Sequence, residues 1–344
     1  MSLEQAFWRI TFDTNPDQCN LNCIMCEDHS PYADDLEVRK SQGRLRPIMD
    51  PQLLEKIVRE AAELGFREVI PSTMGEPLLY PYFDHLLNLC EELGLSVNLT
   101  TNGTFPATKK YQTVECWAKR IIPLASDVKI SWNGSSEAVQ EDIMKGTNLK
   151  QHINYAQRFI AVRNQLAEQH YCSVTLQMTF MRINLEEIPD MIRLAIKLGF
   201  DRVKGHHLWD HFPELSSQSL RNDVTAIKRW NEIVQRCEEI VKEYFNSTGK
   251  ALKLDNFFVL DPENPTEIAL GGECPFLNRE IWIDSSGRFN VCCAPDQQRK
   301  TLGDFDNLIK KNISEIINGA EYSELVKCYQ EEALCKTCNM RRPV

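Results

Sequence analysis

Short β-branched segments alternate with amphipathic helical segments from residue 6 to about residue 246, and this alternation restricts the possible fold most. Strands joined by helical crossovers form a parallel sheet. Leu-Gly-hydrophobic sequences at 64–66, 93–95 and 198–200 place a glycine where a helix ends just before a strand. The predicted strands are 8–12, 68–71, 96–100, 128–132, 174–180 and 202–206. The predicted helices are 51–64, 83–93, 108–122, 136–144 with 149–165, 185–198 and 224–244.

Six strand–helix units are two short of a closed (β/α)₈ barrel. We therefore expect an α/β fold, with a partial (β/α)₆ TIM-like barrel over residues 1–250 and a small cluster-binding domain over residues 251–344. A Pro- and Asp-rich stretch at 261–266 marks a boundary before the later cysteines. Because parallel α/β folds collect their chemistry at the carboxyl ends of strands, those loops are where functional residues are expected.

Charge and hydropathy exclude several classes of partner. The formal net charge of −10 disfavours a nucleic-acid partner, since phosphate binding needs the opposite balance. No apolar run approaches the ~18–20 residues that span a bilayer, and the N-terminus does not resemble a signal peptide, so no membrane partner is expected.

Cysteine content is unusual, with 13 in 344 residues and no secretory signal, which favours metal or cluster ligation over disulfides. Exposed clusters are sensitive to oxygen, so we expect a reducing cytoplasm. Four isolated cysteines stand in apolar settings and are predicted to be buried structural thiols. They are Cys90, Cys116, Cys172 and Cys237.

The first cysteine group, Cys19, Cys23 and Cys26, follows the first predicted strand. Structural zinc takes four protein ligands, and only His29 stands nearby as a possible fourth. A [4Fe–4S] cluster held by three cysteines instead leaves one iron open for another ligand.

This loop resembles the Cx₃CxΦC loop of the radical S-adenosylmethionine (SAM) superfamily, with Met25 at the Φ position. The resemblance implies a [4Fe–4S] cluster that binds SAM through its open iron. It also implies transfer of one electron, which splits SAM into methionine and a 5′-deoxyadenosyl radical that abstracts hydrogen from the substrate. The cofactor carries the difficult chemistry, and the protein supplies orientation and excludes solvent.

The next strand ends continue the resemblance. Gly75, Glu76 and Pro77 follow the second strand, where the family carries a GGEP-like motif that binds the methionine amino group. Met74 stands in place of the first glycine. Glycine permits close approach of the backbone, and a carboxylate pairs with an ammonium group.

Three further strand ends carry family-like residues. Asn102 lies in a Thr-Asn-Gly turn after the third strand, and Ser131 with Asn133 resembles the family's S-x-D-G motif near the ribose. After the fifth strand, Arg182 is placed to meet the SAM carboxylate. Each also has an ordinary interpretation, as a common turn or a surface charge.

A second cysteine group resembles the twitch module, a shortened SPASM domain of the same superfamily. A hairpin over 280–291, turned at 285–287, and a helix over 313–330 are predicted to bring its ligands together. The spacing implies one auxiliary [4Fe–4S] cluster, so two in total, because no cysteine follows the last pair; a Cys₄ zinc knuckle is the alternative. The predicted ligands are Cys274, Cys292, Cys335 and Cys338.

Several residues lack an assigned ligand role. Cys293 is either a hydrogen-atom donor or a buried or reserve thiol, and Cys328 is unassigned. His206 and His207 follow the sixth strand and are predicted to serve as acid or base, or to be simple loop residues.

The leading substrate hypothesis is a ribosomally made precursor peptide that the enzyme modifies. Little sequence precedes Cys19, so we expect a separate leader-recognition protein, together with a reductant such as flavodoxin or ferredoxin. One alternative is oxidation or epimerisation of a small carbohydrate or aminocyclitol. A non-enzymatic Fe–S or Zn redox-sensing module is the other.

Overall fold

The computed structural model describes residues 7–72, 74–263, 272–338 and 340–341. Residues 264–266 of the predicted boundary stretch lie outside this described part. The division of the chain at residue 250 stays a prediction. The structure has two compact units, the first formed by Met1–Cys19, Asp35–Thr100 and Glu267–Val344, and the second by Asn20–Asp34 and Thr101–Thr266.

The described secondary structure alternates strands and helices. The strands are β1 (Arg9–Phe12), β2 (Asn22–Cys23), β3 (Glu68–Ile70), β4 (Ser96–Thr101), β5 (Ala125–Ser131), β6 (Met144–Lys145), β7 (Ser173–Phe180), β8 (Arg202–His207), β9 (Lys253–Asp255), β10 (Glu280–Ile283) and β11 (Phe289–Asn290). The α-helices are α1 (Leu36–Ser41), α2 (Pro51–Glu63), α3 (Phe83–Leu93), α4 (Val114–Ile121), α5 (Glu137–Ile143), α6 (Leu149–Leu166), α7 (Ile188–Leu198), α8 (Val224–Thr248), α9 (Asp296–Arg299), α10 (Ile313–Ile317), α11 (Ala320–Cys328) and α12 (Ala333–Lys336).

In the first unit the strand order is β11-β10-β1-β3-β4. The pairings of β1 with β3, β1 with β10 and β3 with β4 are parallel, and β10 pairs antiparallel with β11. Arg9 on β1 lies between two carboxylates, Glu68 on β3 and Glu280 on β10. The strand that follows Cys274 therefore extends the same sheet that leads into the first cysteine loop.

In the second unit the strand order is β5-β7-β8-β9, with every pairing parallel. A separate two-stranded ribbon pairs β2 with β6 antiparallel. Its β2 strand carries Cys23, opposite Met144. This ribbon attaches the second half of the first cysteine loop to the segment after α5.

Helix ends follow local sequence signals. Asp50 caps α2 by accepting hydrogen bonds from the N–H groups of Gln52 and Leu53. Gly94 and Gly199 end α3 and α7 in the left-handed conformation, as the Leu-Gly sequences predicted. All six predicted strands are confirmed, with bounds that shift by a few residues.

Three helix predictions differ from the structure. The helix predicted over 108–122 begins only at Val114, because Thr113 caps α4. The helix predicted over 313–330 is wrong as a single element, because Asn318 ends α10 and Gly319 takes an extended conformation before α11 begins. The helix predicted over 185–198 begins as a 3₁₀ turn, Arg182–Glu187, and becomes α-helical only at Ile188.

The isolated cysteines behave as predicted in three cases. Cys90, Cys172 and Cys237 are buried, but Cys116 is exposed. Helix α4 buries Val114, Trp117, Ala118 and Ile121, and position 116 lies on its opposite face. Within the described ranges, no helix has both the length and the apolar character needed to cross a bilayer.

Candidate functional site

The first half of the first cysteine loop rests on the Gly75–Glu76 backbone. Asn15 donates from Nδ2 to the Glu76 carbonyl at 2.8 Å, and the Glu76 N–H donates to the Gln18 carbonyl at 2.7 Å. Gly75 has a φ of 72°, and a Cβ there would lie 2.3 Å from the Asn15 carbonyl oxygen. Only glycine fits this approach, so the predicted Gly-Glu-Pro motif supports the chain that leads to Cys19.

Glu76 itself is buried, and its carboxylate caps a short 3₁₀ turn. Its Oε1 accepts a hydrogen bond from the Leu78 N–H at 3.2 Å, and Pro77 is the first residue of the turn. The turn fixes the position of a buried negative charge. A carboxylate placed in this way has the chemistry to receive an ammonium group.

The second half of the loop is a compact turn in the second unit. The Cys26 N–H donates to the Cys23 carbonyl at 3.0 Å, and the His29 N–H donates to the Cys26 Sγ at 3.4 Å. Ser30 closes the turn with a 2.7 Å bond from Oγ to the Ile24 carbonyl. Cys23, Met25 and Cys26 are half-buried. The thiol chemistry fits a cluster, because thiolates are its usual ligands.

A network of short side chains joins this loop to the Thr-Asn-Gly turn. Asn102 donates from Nδ2 to Oδ1 of Asn20 at 2.8 Å, while its own Oδ1 accepts from the Thr104 N–H at 3.0 Å. Asn20 also donates to the Thr104 hydroxyl. The sequence argument included Asn102 but missed Asn20, which lies between two cysteine ligands and carries no local signal of its own.

The turn after β5 is held by buried amide side chains. Asn133 accepts from the Thr179 N–H through Oδ1 at 2.8 Å, and its own N–H donates to Gln140 Oε1 at 2.8 Å. Asn184 donates to the Asn133 carbonyl at 3.0 Å. Ser131 is the last residue of β5 and is half-buried. The sequence argument missed Gln140, which lies seven residues from Asn133, and Asn184, which lies 51 residues away.

Glu187 anchors the residues that follow this turn. Its Oε2 accepts hydrogen bonds from the N–H groups of Ser135 at 2.6 Å and Ser136 at 3.0 Å. Burial alone would raise the pKa of Glu187, but the hydrogen bonds from both serines lower it overall. The carboxylate therefore stays ionised at neutral pH.

The two predicted histidines point to opposite sides of β8. His206 is half-buried, and its Nε2 lies 3.4 Å from the Thr179 hydroxyl. His207 is buried, with ring centroids of Phe180 and Trp230 at 5.3 and 5.1 Å. Burial lowers the pKa of His206 to about 4 and that of His207 to about 3, so both are neutral at pH 7. The structure separates the two, and their catalytic roles stay predictions.

Arg182 lies at the start of the 3₁₀ turn after β7 and pairs with Asp223, the residue that caps α8. Both side chains are more than one-third exposed. The guanidinium is therefore accessible, and a carboxylate ligand would have to compete with Asp223 for it.

The four predicted auxiliary ligands come together in the first unit. Burial and the nearby Cys338, Cys274 and Cys335 raise the pKa of Cys292 to about 12. Burial, with Cys274 and Cys338, raises the pKa of Cys335 to about 12 as well. Cys274, Cys292 and Cys335 therefore resist ionisation, and a group that they bind as thiolates must bring compensating positive charge.

Cys293 adjoins this group and is half-buried. Burial, Cys292, Cys338 and Glu280 together raise its pKa well above the usual value. Cys328 lies at the end of α11 and donates from Sγ to the Glu324 carbonyl at 3.0 Å. Of these two cysteines, Cys293 lies near the auxiliary thiols Cys292 and Cys338.

Among the described residues, no three His, Cys, Asp or Glu side chains are grouped closely enough to hold one metal ion. A tetrahedral zinc site, with Zn–S bonds of about 2.3 Å, requires such grouping. The iron atoms of a [4Fe–4S] cluster are distributed over a cube, so its cysteine ligands stand farther apart. Four half-buried cysteines in one segment are the ligand set that a [4Fe–4S] cluster uses.

Comparison with known proteins identifies the chain. Residues 16–203, more than half of the sequence, match the profile described as "Radical SAM superfamily". The chain belongs to the radical SAM superfamily. Residues 274–339 match a second profile, SPASM, described as "Iron-sulfur cluster-binding domain", and this range contains all four auxiliary thiols. The two profiles imply iron–sulfur clusters and SAM as cofactors of this enzyme.

Two curated relatives of this chain are named for different cyclisation reactions. "PqqA peptide cyclase" of Methylorubrum extorquens is 28% identical over 227 residues, covering 65% of this chain and 53% of that protein. "Probable GTP 3',8-cyclase" of Pyrococcus abyssi is 29% identical over 183 residues, covering 53% of this chain and 51% of that protein. This radical SAM chain thus spans about half the length of the curated relatives it matches.

Among solved structures, Streptococcus suis SuiB bound to precursor peptide SuiA is similar with a TM-score of 0.61. The identity is 18%, and the match covers 97% of this chain and 71% of SuiB. At this identity the likeness concerns the fold, which confirms the predicted α/β class.

Proposed function

We propose that this radical SAM enzyme holds two [4Fe–4S] clusters and modifies a ribosomally made precursor peptide. The second cluster is supported by the match of residues 274–339 to the iron–sulfur profile, a range that contains Cys274, Cys292, Cys335 and Cys338. The first cluster would be held by Cys19, Cys23 and Cys26, which lie within the radical SAM match.

When bound, a [4Fe–4S] cluster with an open iron supplies the electron that cleaves SAM and yields a 5′-deoxyadenosyl radical for hydrogen abstraction. Glu76 and the Gly75 backbone would receive the methionine ammonium group. Asn102, Ser131 and Asn133 would lie along the adenosine. Arg182 would bind the SAM carboxylate in exchange for Asp223.

Peptide chemistry is favoured by the relatives. Curated relatives that match 65% of the chain are named for peptide cyclisation, and SuiB, a structure of similar fold, was solved bound to a precursor peptide. Because another relative is named as a GTP cyclase, a nucleotide substrate is the alternative to a peptide substrate. Cys293, His206 and His207 are the proposed candidates for contacts with the substrate radical.

The proposal includes two protein partners and a compartment. A flavodoxin or ferredoxin would deliver the electron, and a separate leader-recognition protein would present the peptide. Two oxygen-sensitive clusters require a reducing environment, which is why we propose the cytoplasm.

Iron and acid-labile sulfide per chain test the cofactor content. Anaerobically purified protein should contain about eight irons, falling to about four in a Cys19/Cys23/Cys26→Ala variant. A Cys274/Cys292/Cys335/Cys338→Ala variant is the matched control and should also keep about four. Zinc in place of the second four irons would contradict the auxiliary cluster.

Deuterium transfer tests the substrate class. Reconstituted protein is incubated with SAM and dithionite, in separate arms, with deuterated precursor-type peptides, deuterated aminocyclitols or deuterated GTP. Deuterium in 5′-deoxyadenosine from the peptide arm supports the proposal. Deuterium only from the aminocyclitol or the GTP arm would overturn it.

A further inference from the structure

Arg341 is an arginine near the auxiliary thiols with a side chain that is only 2% exposed. Its Nε donates to the Gly272 carbonyl at 2.6 Å, and one of its terminal nitrogens donates to the Cys335 carbonyl at 3.0 Å. The guanidinium carbon also lies 5.7 Å from the centroid of the Tyr329 ring. One side chain thus joins the segment before Cys274 to the pair formed by Cys335 and Cys338.

Within the described part of the chain, no carboxylate lies within ion-pairing distance of Arg341. A buried charge without a counter-charge is costly, so such groups are normally paired. Here the anionic candidates are the thiols. The guanidinium donates to the carbonyl of Cys335 itself, so its charge lies beside one of the four proposed ligands.

A cluster held by four thiolates is an anion, and it gains one further negative charge when it is reduced. A fixed positive charge beside it stabilises the reduced form more than the oxidised form. Net charge and hydrogen bonding near the sulfurs are among the factors that set cluster potentials. The planar fork of arginine can serve both purposes at once, whereas lysine supplies a single point charge.

We propose that Arg341 is a positioning residue of the auxiliary cluster, with two effects. Its fork holds the Cys335–Cys338 segment against Gly272, and its charge is the buried counter-ion that raises the reduction potential of the cluster. This inference rests on the proposed function, because it requires that the four cysteines hold a [4Fe–4S] cluster.

The test isolates the auxiliary cluster in the Cys19/Cys23/Cys26→Ala background and follows its potential by EPR-monitored redox titration. Arg341→Gln should lower the ratio of reduced to oxidised cluster about tenfold at a fixed potential, a shift of about −59 mV for a one-electron couple. Arg341→Lys keeps the charge and should stay within about threefold of the parent ratio. Both variants should release iron to a chelator faster, because neither keeps both carbonyl bonds.

Arg279→Gln is the matched control, since it removes the same charge from an exposed side chain that pairs with Glu273. It should leave the potential unchanged. A potential for Arg341→Gln equal to that of Arg279→Gln would overturn the counter-ion role while leaving the proposed cluster intact. If the Arg341→Gln variant does not hold iron, the test uses the Arg341→Lys variant instead. A tenfold change in its ratio of reduced to oxidised cluster would then overturn the counter-ion role. No iron in the background variant would instead refute the auxiliary cluster and the inference with it.

Discussion

Nδ2 of Asn102 lies 2.8 Å from Oδ1 of Asn20, so the turn after β4 is bonded to the loop of the first cluster. Thr104 completes the network by accepting from Asn20 and donating to Asn102. A residue that the family resemblance assigns to SAM therefore also holds the loop that carries the proposed cluster ligands.

Asn102→Ala should weaken the first cluster as well as SAM binding. Loss of the bond costs about 1 kcal/mol, which corresponds to roughly fivefold faster release of first-cluster iron to a chelator. The double variant with Asn20→Ala should cost less than the sum of the single ones, because the two residues share one network. The measurement is iron release without SAM in the auxiliary-ligand quadruple Ala background, with exposed Asn222→Ala as the control. Strict additivity would contradict the shared role.

Gly75→Ala should lower the free energy of unfolding by more than the left-handed backbone conformation of this residue accounts for. Gly43 has a similar φ, 64° against 72°, but nothing lies within 4 Å of its missing Cβ. Gly43→Ala should therefore lose only the conformational term of about 1 kcal/mol. Gly75→Ala must in addition push back the Asn15 carbonyl, and should lose at least about 2 kcal/mol more together with first-cluster iron. Urea unfolding and iron content of the pair test this, and equal losses would refute it.

Glu187→Gln should destabilise the protein, because it removes the ionised carboxylate that holds the turn after β5. Because the pKa of Glu187 is lowered in the folded protein, its contribution is present above the usual value of 4.5 and disappears as the pH falls through the lowered pKa. At pH 7 the substitution should cost about 1.5 kcal/mol. The difference between wild type and variant in free energy of unfolding should therefore shrink on acidification.

Glu186→Gln is the control for that experiment. Glu186 is adjacent in sequence but exposed, and it pairs with Arg229 on the surface. Exposed pairs contribute little, so this variant should change stability by less than about 1 kcal/mol at any pH. A Glu187→Gln cost that does not vary with pH would show that packing, rather than charge, holds the turn.

The sequence predicted what depends on local pattern. The six strands follow from β-branched runs, and Gly94 and Gly199 end helices as their neighbours indicated. The resemblance to the twitch module grouped the four auxiliary cysteines, and the segment that contains them matches an iron–sulfur profile. Each of these signals is contained within a few residues, or within spacing characteristic of a module.

Long-range pairing could not be predicted in the same way. Nothing local indicates that β10 lies beside β1, or that Asn184 binds the Asn133 backbone. In the sequence Arg341 has no feature that distinguishes it from other basic residues, and only the fold brings it to the carbonyls of Gly272 and Cys335. Such roles depend on which distant segments meet, and a single sequence does not encode that contact in any short pattern.

His207 distinguishes a packing role from a catalytic one. Its ring lies among Phe180, Trp230 and Phe258, and neither ring nitrogen has a hydrogen-bond partner in the described structure. The pKa of about 3 lies below the usual 6.5. Between these two pH values His207 is therefore protonated in the unfolded chain and neutral in the folded protein. Stability should fall as the pH drops below 6.5, by up to about 1.4 kcal/mol per pH unit for this one group.

His207→Phe removes that proton uptake and the unpaired nitrogens, so it should unfold less readily than wild type, with the gap widening from about pH 7 to about pH 5. Urea unfolding at several pH values measures this, and His170→Phe, at an exposed position, is the control that should leave the slope unchanged. If His207→Phe instead keeps its fold and its iron but no longer forms 5′-deoxyadenosine, the histidine acts on the reaction, and the aromatic packing only holds it in place.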